Sequence, residues 1–327
     1  MKQQQFIDQQ RPSWDKFKDL LEQMTGPRRR RDAEALVELP ELYRSICADY
    51  ALARRRQYST GLVDELHALV MRGHGVLYRR KSIWFWRIVS FLWIDFPVTL
   101  RRHIRFFWLA TVLLYLPAVV IGGLAYKDDK IIHSLMSPVE VAGMEFMYDP
   151  SNPHLWREVK RAASTNFAMF GYYIYNNIGI GFRTFATGLL GGVGAVVALF
   201  YNGSVFGAVA GHLTQLGFIN TFWPFVAGHG AFELTAICIC GAAGLLLGWS
   251  LIAAGRRRRI DALITAAGEA VKLVMGAGTM LLIAAFVEAF WSSSDGVGEM
   301  TKYFVAAVFW SLVILYLTFA GRNQHAA

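Results

Sequence analysis

The chain has 327 residues, 54 % of them apolar and only 17 % charged, and its mean hydropathy is positive at +0.33. Soluble domains run at roughly 45–50 % apolar and about 25 % charged, so this balance excludes a disordered chain and speaks against an ordinary soluble enzyme. The net charge of +9 is localised: 20 of the 33 Lys and Arg precede residue 106, together with 12 of the 24 Asp and Glu, so the basic excess belongs to the N-terminal region.

Residues 1–82 predict a small, basic, cytoplasmic helical region. Trp14, Phe17, Leu20, Leu21 and Met24 recur at helical spacing until Gly26-Pro27 interrupts them. After Arg28–Arg31 a second helix carries Leu36, Leu39, Leu42, Tyr43, Ile46 and Tyr50 as far as Arg54-Arg55-Arg56. A third carries Leu62, Leu66, Leu69 and Val70 and stops at Arg79-Arg80-Lys81. The first forty residues are too polar to hold the apolar core of a cleavable signal peptide. The positive charge comes with no nucleic-acid reading motif, so membrane lipids are the expected partner, at about 1 kcal/mol per basic residue near an anionic surface.

Residues 83–105 change character. Trp84, Phe85, Trp86, Phe91, Trp93 and Phe96 alternate with Arg87, Asp95, Arg101, Arg102 and Arg105. Aromatic rings and cations in one amphipathic segment favour the headgroup level, which predicts an interfacial elbow helix bent at Pro97.

From residue 106 to 320 the chain predicts a polytopic all-α membrane bundle. Spans are expected at about 106–126, 167–190, 195–214, 223–254, 271–291 and 303–320, with 127–164 on the extracytoplasmic side. An apolar run of about twenty residues crosses a hydrocarbon core of roughly 30 Å. Parity sets the number. The basic flank before Phe106 places the N-terminus in the cytoplasm, and Arg256–Arg259 should lie on the same side, which needs two crossings between residues 165 and 214. Gly191-Gly192 supplies a turn between them. The alternative is five crossings and a re-entrant element. On the six-span reading both termini are cytoplasmic.

Within the spans, Gly203, Gly207 and Gly211 repeat every fourth residue and leave a flat stripe that lets another helix approach; Gly241 and Gly244 repeat the device later. His229 and Glu233, also four apart, share one helix face. Ionisable groups at membrane depth are costly, so this pair points to a polar clamp between helices, to the lining of a conduit or partner site, or to a zinc hydrolase lacking the usual spacing. No second cluster visibly supplies further metal ligands. Asn176, Asn177, Arg183 and Asn202 add polarity and should face the bundle. Glu288, expected near the outer end of its span, reads as a snorkelling carboxylate or, with His229, Glu233, Asn177 and Arg183, as part of a polar cluster facing a common cavity. Cys47, Cys238 and Cys240 are too few and too poorly spaced for a disulfide framework or a zinc site. With no phosphate-cradling loop, Ser-His-Asp order or nucleotide fingerprint in the sequence, no catalytic residue, cofactor or metal is expected.

Asn176-Asn177-Ile178, Tyr201-Asn202-Gly203 running to Gly207, Gly228-His229-Gly230-Ala231-Phe232-Glu233-Leu234, and Ala284-Ala285-Phe286-Val287-Glu288-Ala289-Phe290 together resemble the stage II sporulation protein M family across about residues 105–320. Leu42-Tyr43-Arg44 with Ala48-Asp49-Tyr50 resembles the N-terminal extension of its Gram-negative, non-sporulating branch. The resemblance implies a bacterial inner-membrane protein without known catalytic activity, a scaffold for cell-envelope work. It also implies partners: a MoxR-type AAA ATPase, a von Willebrand factor A-like domain protein or peptidoglycan-acting proteins. Self-association through the glycine stripes, giving a homo-oligomer, is expected with it. The rival expectation is a transporter, permease or lipid-moving protein that uses the intramembrane polar residues.

Overall fold

The computed structural model describes residues 2–25, 33–77, 83–151, 163–294 and 297–322. The expected break at Gly26-Pro27 and the runs Arg28–Arg31 and Arg79–Lys81 lie outside these residues. Every regular element described is helical, and the chain divides into two compact units, Met1–Trp86 and Arg87–Ala327.

In the first unit, α1 (Gln3–Thr25), α2 (Ala33–Arg55) and α3 (Thr60–Leu77) enclose a core built on Phe6, Trp14, Phe17, Leu21, Ile46 and Leu66. Trp14 Nε1 donates a 2.9 Å hydrogen bond to Asp49 Oδ2, which allows the indole to be buried whole. Burial pushes the Asp49 carboxyl above its ordinary value, and the Trp14 bond opposes that rise. Glu65 is held below its ordinary value by Lys18 at 2.8 Å, with Arg11 adding to the effect at 3.1 Å.

The expected elbow is two helices and not one. α4 (Ile83–Ser90) passes through a π-helical turn, Phe91–Asp95, into α5 (Phe96–Arg102), and His103 breaks the chain before α6 (Ile104–Ala125). Pro97 falls in the first turn of α5, directly after the π-helical turn, and His103, with non-helical dihedral angles, separates α5 from α6. Trp84, Trp86 and Trp93 are exposed while Phe96 and Leu100 are buried, as expected of an amphipathic segment. Arg101 donates to the Leu317 and Ala320 carbonyls, and Tyr316 donates its hydroxyl proton to the Leu92 carbonyl.

Two short helices come next, α7 (Lys130–His133) and α8 (Pro138–Tyr148), the latter started by a capping box in which Ser137 and Glu140 satisfy each other's backbone N–H. Beyond them lie α9 (Ala163–Ala186), α10 (Val193–Gln215), α11 (Ile219–Ile252), α12 (Arg259–Phe286) with a π-helical extension, Val287–Ser292, and α13 (Glu299–Phe319). The expected spans at 223 and 271 therefore belong to helices that begin earlier, at Ile219 and Arg259, and the short link between α11 and α12 holds Arg256–Arg258. Gly191 and Gly192, with φ of +62° and +84°, make the reversal between α9 and α10.

Among the described residues, five helices are long and apolar enough to cross a membrane: α6, α10, α11, α12 with its extension, and α13. α9 has 24 residues, about 36 Å at helical rise, but its Asn, Tyr and Arg content keeps it out of that group. It packs along α11 and α12.

α11 is the hub. Its most apolar stretch is 78 % buried, against 22 % for α6 and 17 % for α13. Lipid tails are as apolar as leucine, so close packing holds such a helix in place, and close packing needs small residues. A Cβ on Gly203, Gly207 or Gly211 would overlap a backbone carbonyl of α6, those of Leu114, Ala118 and Gly122 respectively. A Cβ on Gly241 would come within 2.7 Å of the Leu199 side chain, and one on Gly244 within 3.0 Å of the Thr184 and Phe185 carbonyl oxygens. All five glycines thus make close helix contacts inside the chain.

Candidate functional site

α11 and α12 are consecutive helices joined by a short turn and so run antiparallel. His229 and Glu233 lie one turn apart on α11; Glu288 and Ser292 lie four apart on the π-helical extension of α12. Antiparallel register sets the two pairs opposite each other. His229 Nδ1 and Ser292 Oγ share a hydrogen bond of 3.1 Å, and His229 Nε2 lies 4.0 Å from Glu233 Oε2. A ligand atom from each of His229, Glu233 and Glu288 can be chosen so that all three fall within 4.8 Å of one another. Asn177 of α9 donates from Nδ2 to Glu288 Oε2 at 3.4 Å, and Asn176 donates to Asn177 Oδ1 at 3.1 Å.

Glu288 reaches this site on the ordinary helical repeat, four residues after the buried Ala284 and seven after the buried Leu281, and the π-helical turn Val287–Ser292 begins beside it. A π-helical turn inserts a residue into the helical repeat and rotates the side chains beyond it, and such turns are frequent at functional sites. Here Glu288 is 9 % exposed, bonded to Asn177 and facing His229, which corrects the expectation that it snorkels. Two carboxylates and an imidazole brought this close in a medium of low dielectric repel or desolvate one another unless a proton or a cation lies among them.

These side chains face a cavity of about 300 Å³, lined as well by Met144 and Tyr148 of α8 and Phe206 and Val209 of α10. Tyr148 ends α8, and its carbonyl accepts from Thr221 Oγ1 at 2.6 Å, which ties α8 to the start of α11. Asn176, Asn177, His229, Glu233 and Glu288 all line the space. Two of the expected residues do not. Arg183 is exposed and donates from Nε to the Gly179 carbonyl one turn back, and Asn202 donates to the Ala198 carbonyl in the same manner. Each donates to a carbonyl of its own helix and neither reaches into the cavity.

Other polar residues at or near the site are not marked in the sequence. Ser292 is among them, though its four-residue spacing from Glu288 repeats that of His229 and Glu233. Lys302, 3 % exposed in the first turn of α13, donates from Nζ to the Ser292 carbonyl at 2.7 Å, and so ties the end of the π-helical segment to the last helix. On α10, His212 Nε2 meets Glu145 Oε1 of α8 at 2.7 Å.

Two family descriptions match the sequence. The family described as Stage II sporulation protein M matches residues 110–293, more than half of the chain and inclusive of every residue of the site. A domain of unknown function (DUF8413) matches residues 4–79, which covers α1 to α3. No curated protein and no solved structure matches the chain.

Proposed function

The chain belongs to the Stage II sporulation protein M family, and on that footing we propose that it is a non-enzymatic scaffold of the bacterial inner membrane, anchoring partner proteins for cell-envelope processes. The division into two units carries this reading. One unit has a core of the kind that folds in water, with aromatic rings closed over a satisfied Asp49; the other is a bundle of apolar helices packed through glycine contacts. A small helical unit joined to a membrane bundle is the layout of an anchor that presents a docking surface. Its partners, by the family resemblance, are a MoxR-type ATPase, a von Willebrand factor A-like protein or peptidoglycan-acting enzymes.

Purification of the tagged chain from membranes in mild detergent should recover such a partner, and removal of residues 2–77 should abolish recovery while the membrane unit still accumulates. Repeated isolation of the chain by itself would overturn the reading. A second reading, a permease or lipid-moving protein, has one observation in its favour, the cavity of about 300 Å³ that the polar residues face. It requires flux or lipid exchange in proteoliposomes that Glu233→Ala abolishes, and wild-type vesicles without either would retire it.

A further inference from the structure

We propose that His229, Glu233 and Glu288 bind a divalent first-row metal ion of the zinc class, with Ser292 and Asn177 holding the imidazole and one carboxylate in place. Three observations carry this. The ligand set is one imidazole and two carboxylates, whose reachable atoms lie within 4.8 Å of one another. Tetrahedral zinc with bonds of about 2.0–2.2 Å needs its ligands roughly 3.4 Å apart, so side-chain rotations moving each atom by about 1 Å close the set.

The second observation is the support around the ligands. A metal-binding histidine usually commits its other ring nitrogen to a hydrogen bond, and His229 Nδ1 does so with Ser292 Oγ at 3.1 Å, leaving Nε2 turned towards Glu233 at a distance too long for a hydrogen bond. Glu288 is likewise held, by Asn177 at 3.4 Å. The third is charge. His229 is 5 % exposed, and a divalent cation cancels the buried Glu288 carboxylate and the partly buried Glu233 carboxylate, which would otherwise repel. The imidazole selects zinc-like ions over magnesium or calcium, which take all-oxygen shells. One coordination position is left facing the cavity of about 300 Å³, wide enough for water or a small ligand group.

The test uses the full-length protein in mild detergent. Chelator-treated protein is loaded with Zn²⁺, desalted and assayed for metal, and a second sample is loaded with Co²⁺ for its visible spectrum. The expected result is about one zinc per chain and a tetrahedral cobalt spectrum. His229→Ala, Glu233→Gln and Glu288→Gln should each lower retained metal at least tenfold, while Glu145→Gln, which removes a carboxylate elsewhere on the same side of the bundle, should keep it. Ser292→Ala should bind zinc about 10–100-fold more weakly, since only the support of the imidazole is lost. If a ligand variant fails to fold, the wild-type cobalt spectrum and the Ser292→Ala affinity decide. Folded wild-type protein that retains no zinc and gives no cobalt spectrum overturns the proposal and leaves a shared proton between the carboxylates. Retention of full stoichiometry by all three ligand variants overturns it equally.

Discussion

Gly207→Leu is expected to abolish the folded bundle. A Cβ at this position overlaps the Ala118 carbonyl and comes within 2.7 Å of the Ala118 Cα, so the obstacle is backbone on both helices and no rotamer relieves it. Inserting side-chain volume into a packed core commonly costs about 1–3 kcal/mol, and a clash between two backbones lies at or above the top of that range. The contact extends over about two turns, because Gly203 and Gly211 meet α6 in the same way, and separating α10 from α6 at one point opens all three contacts. Thermal unfolding in detergent, with size-exclusion profiles, should show Gly207→Leu aggregated or melting far below the wild type and Gly207→Ala between them. Gly123→Leu, on the open side of α6, should be silent. A wild-type melting profile for Gly207→Leu would mean that α6 and α10 do not meet along this stripe.

A reporter active only outside the cytoplasm should be fully active when fused after Asp149 and inactive when fused after Gly255 or after Arg322. The argument is one of parity. With α9 crossing, Arg256–Arg259 return to the side of the basic N-terminal unit, as the positive-inside rule requires. Without it, the five apolar helices place that cluster outside and the signals at Gly255 and Arg322 both reverse. α9 is too polar to enter lipid on composition, but its polarity is not presented to lipid where it matters: Asn177 is 1 % exposed and bonded to Glu288 of the neighbouring element. A helix whose amides are satisfied by protein can cross where an isolated one would not. External activity at Gly255 would sink the six-span arrangement.

Much of this fold is written in apolar runs and glycine spacing. The stripes at Gly203, Gly207, Gly211 and at Gly241, Gly244 mark helix contacts because nothing else is gained by a bare backbone in lipid, and Gly191-Gly192 marks a turn because few other residues adopt its dihedral angles. The pair His229 and Glu233 is visible because four-residue spacing puts both on one face. Glu288 is harder to place. The helical repeat puts it on the buried stripe of α12, four residues after Ala284 and seven after Leu281, but its meeting with Asn177 and His229 depends on how α9 and α11 pack against that stripe. Arg183 and Asn202 mislead for a local reason: long or amide side chains can bond to the carbonyl one turn back, and a sequence does not say which of them will. Lys302 and Ser292 depend on where α13 begins relative to α12, and the meeting of His212 with Glu145 depends on where α8 rests. These are facts of tertiary register, which periodicity does not encode.

The two units are held together by different physics, and calorimetry separates them. Taking the Trp14 and Phe17 core apart exposes apolar surface to water, which raises heat capacity by about 12–15 cal/mol/K per residue. Separating α11 from its neighbours inside a bilayer exchanges protein for hydrocarbon and hydrates almost nothing. The minor, N-terminal part of the chain therefore dominates the heat-capacity increment of the whole. Cooling weakens its cohesion, while the larger membrane part, held by van der Waals contact, has little such dependence on temperature.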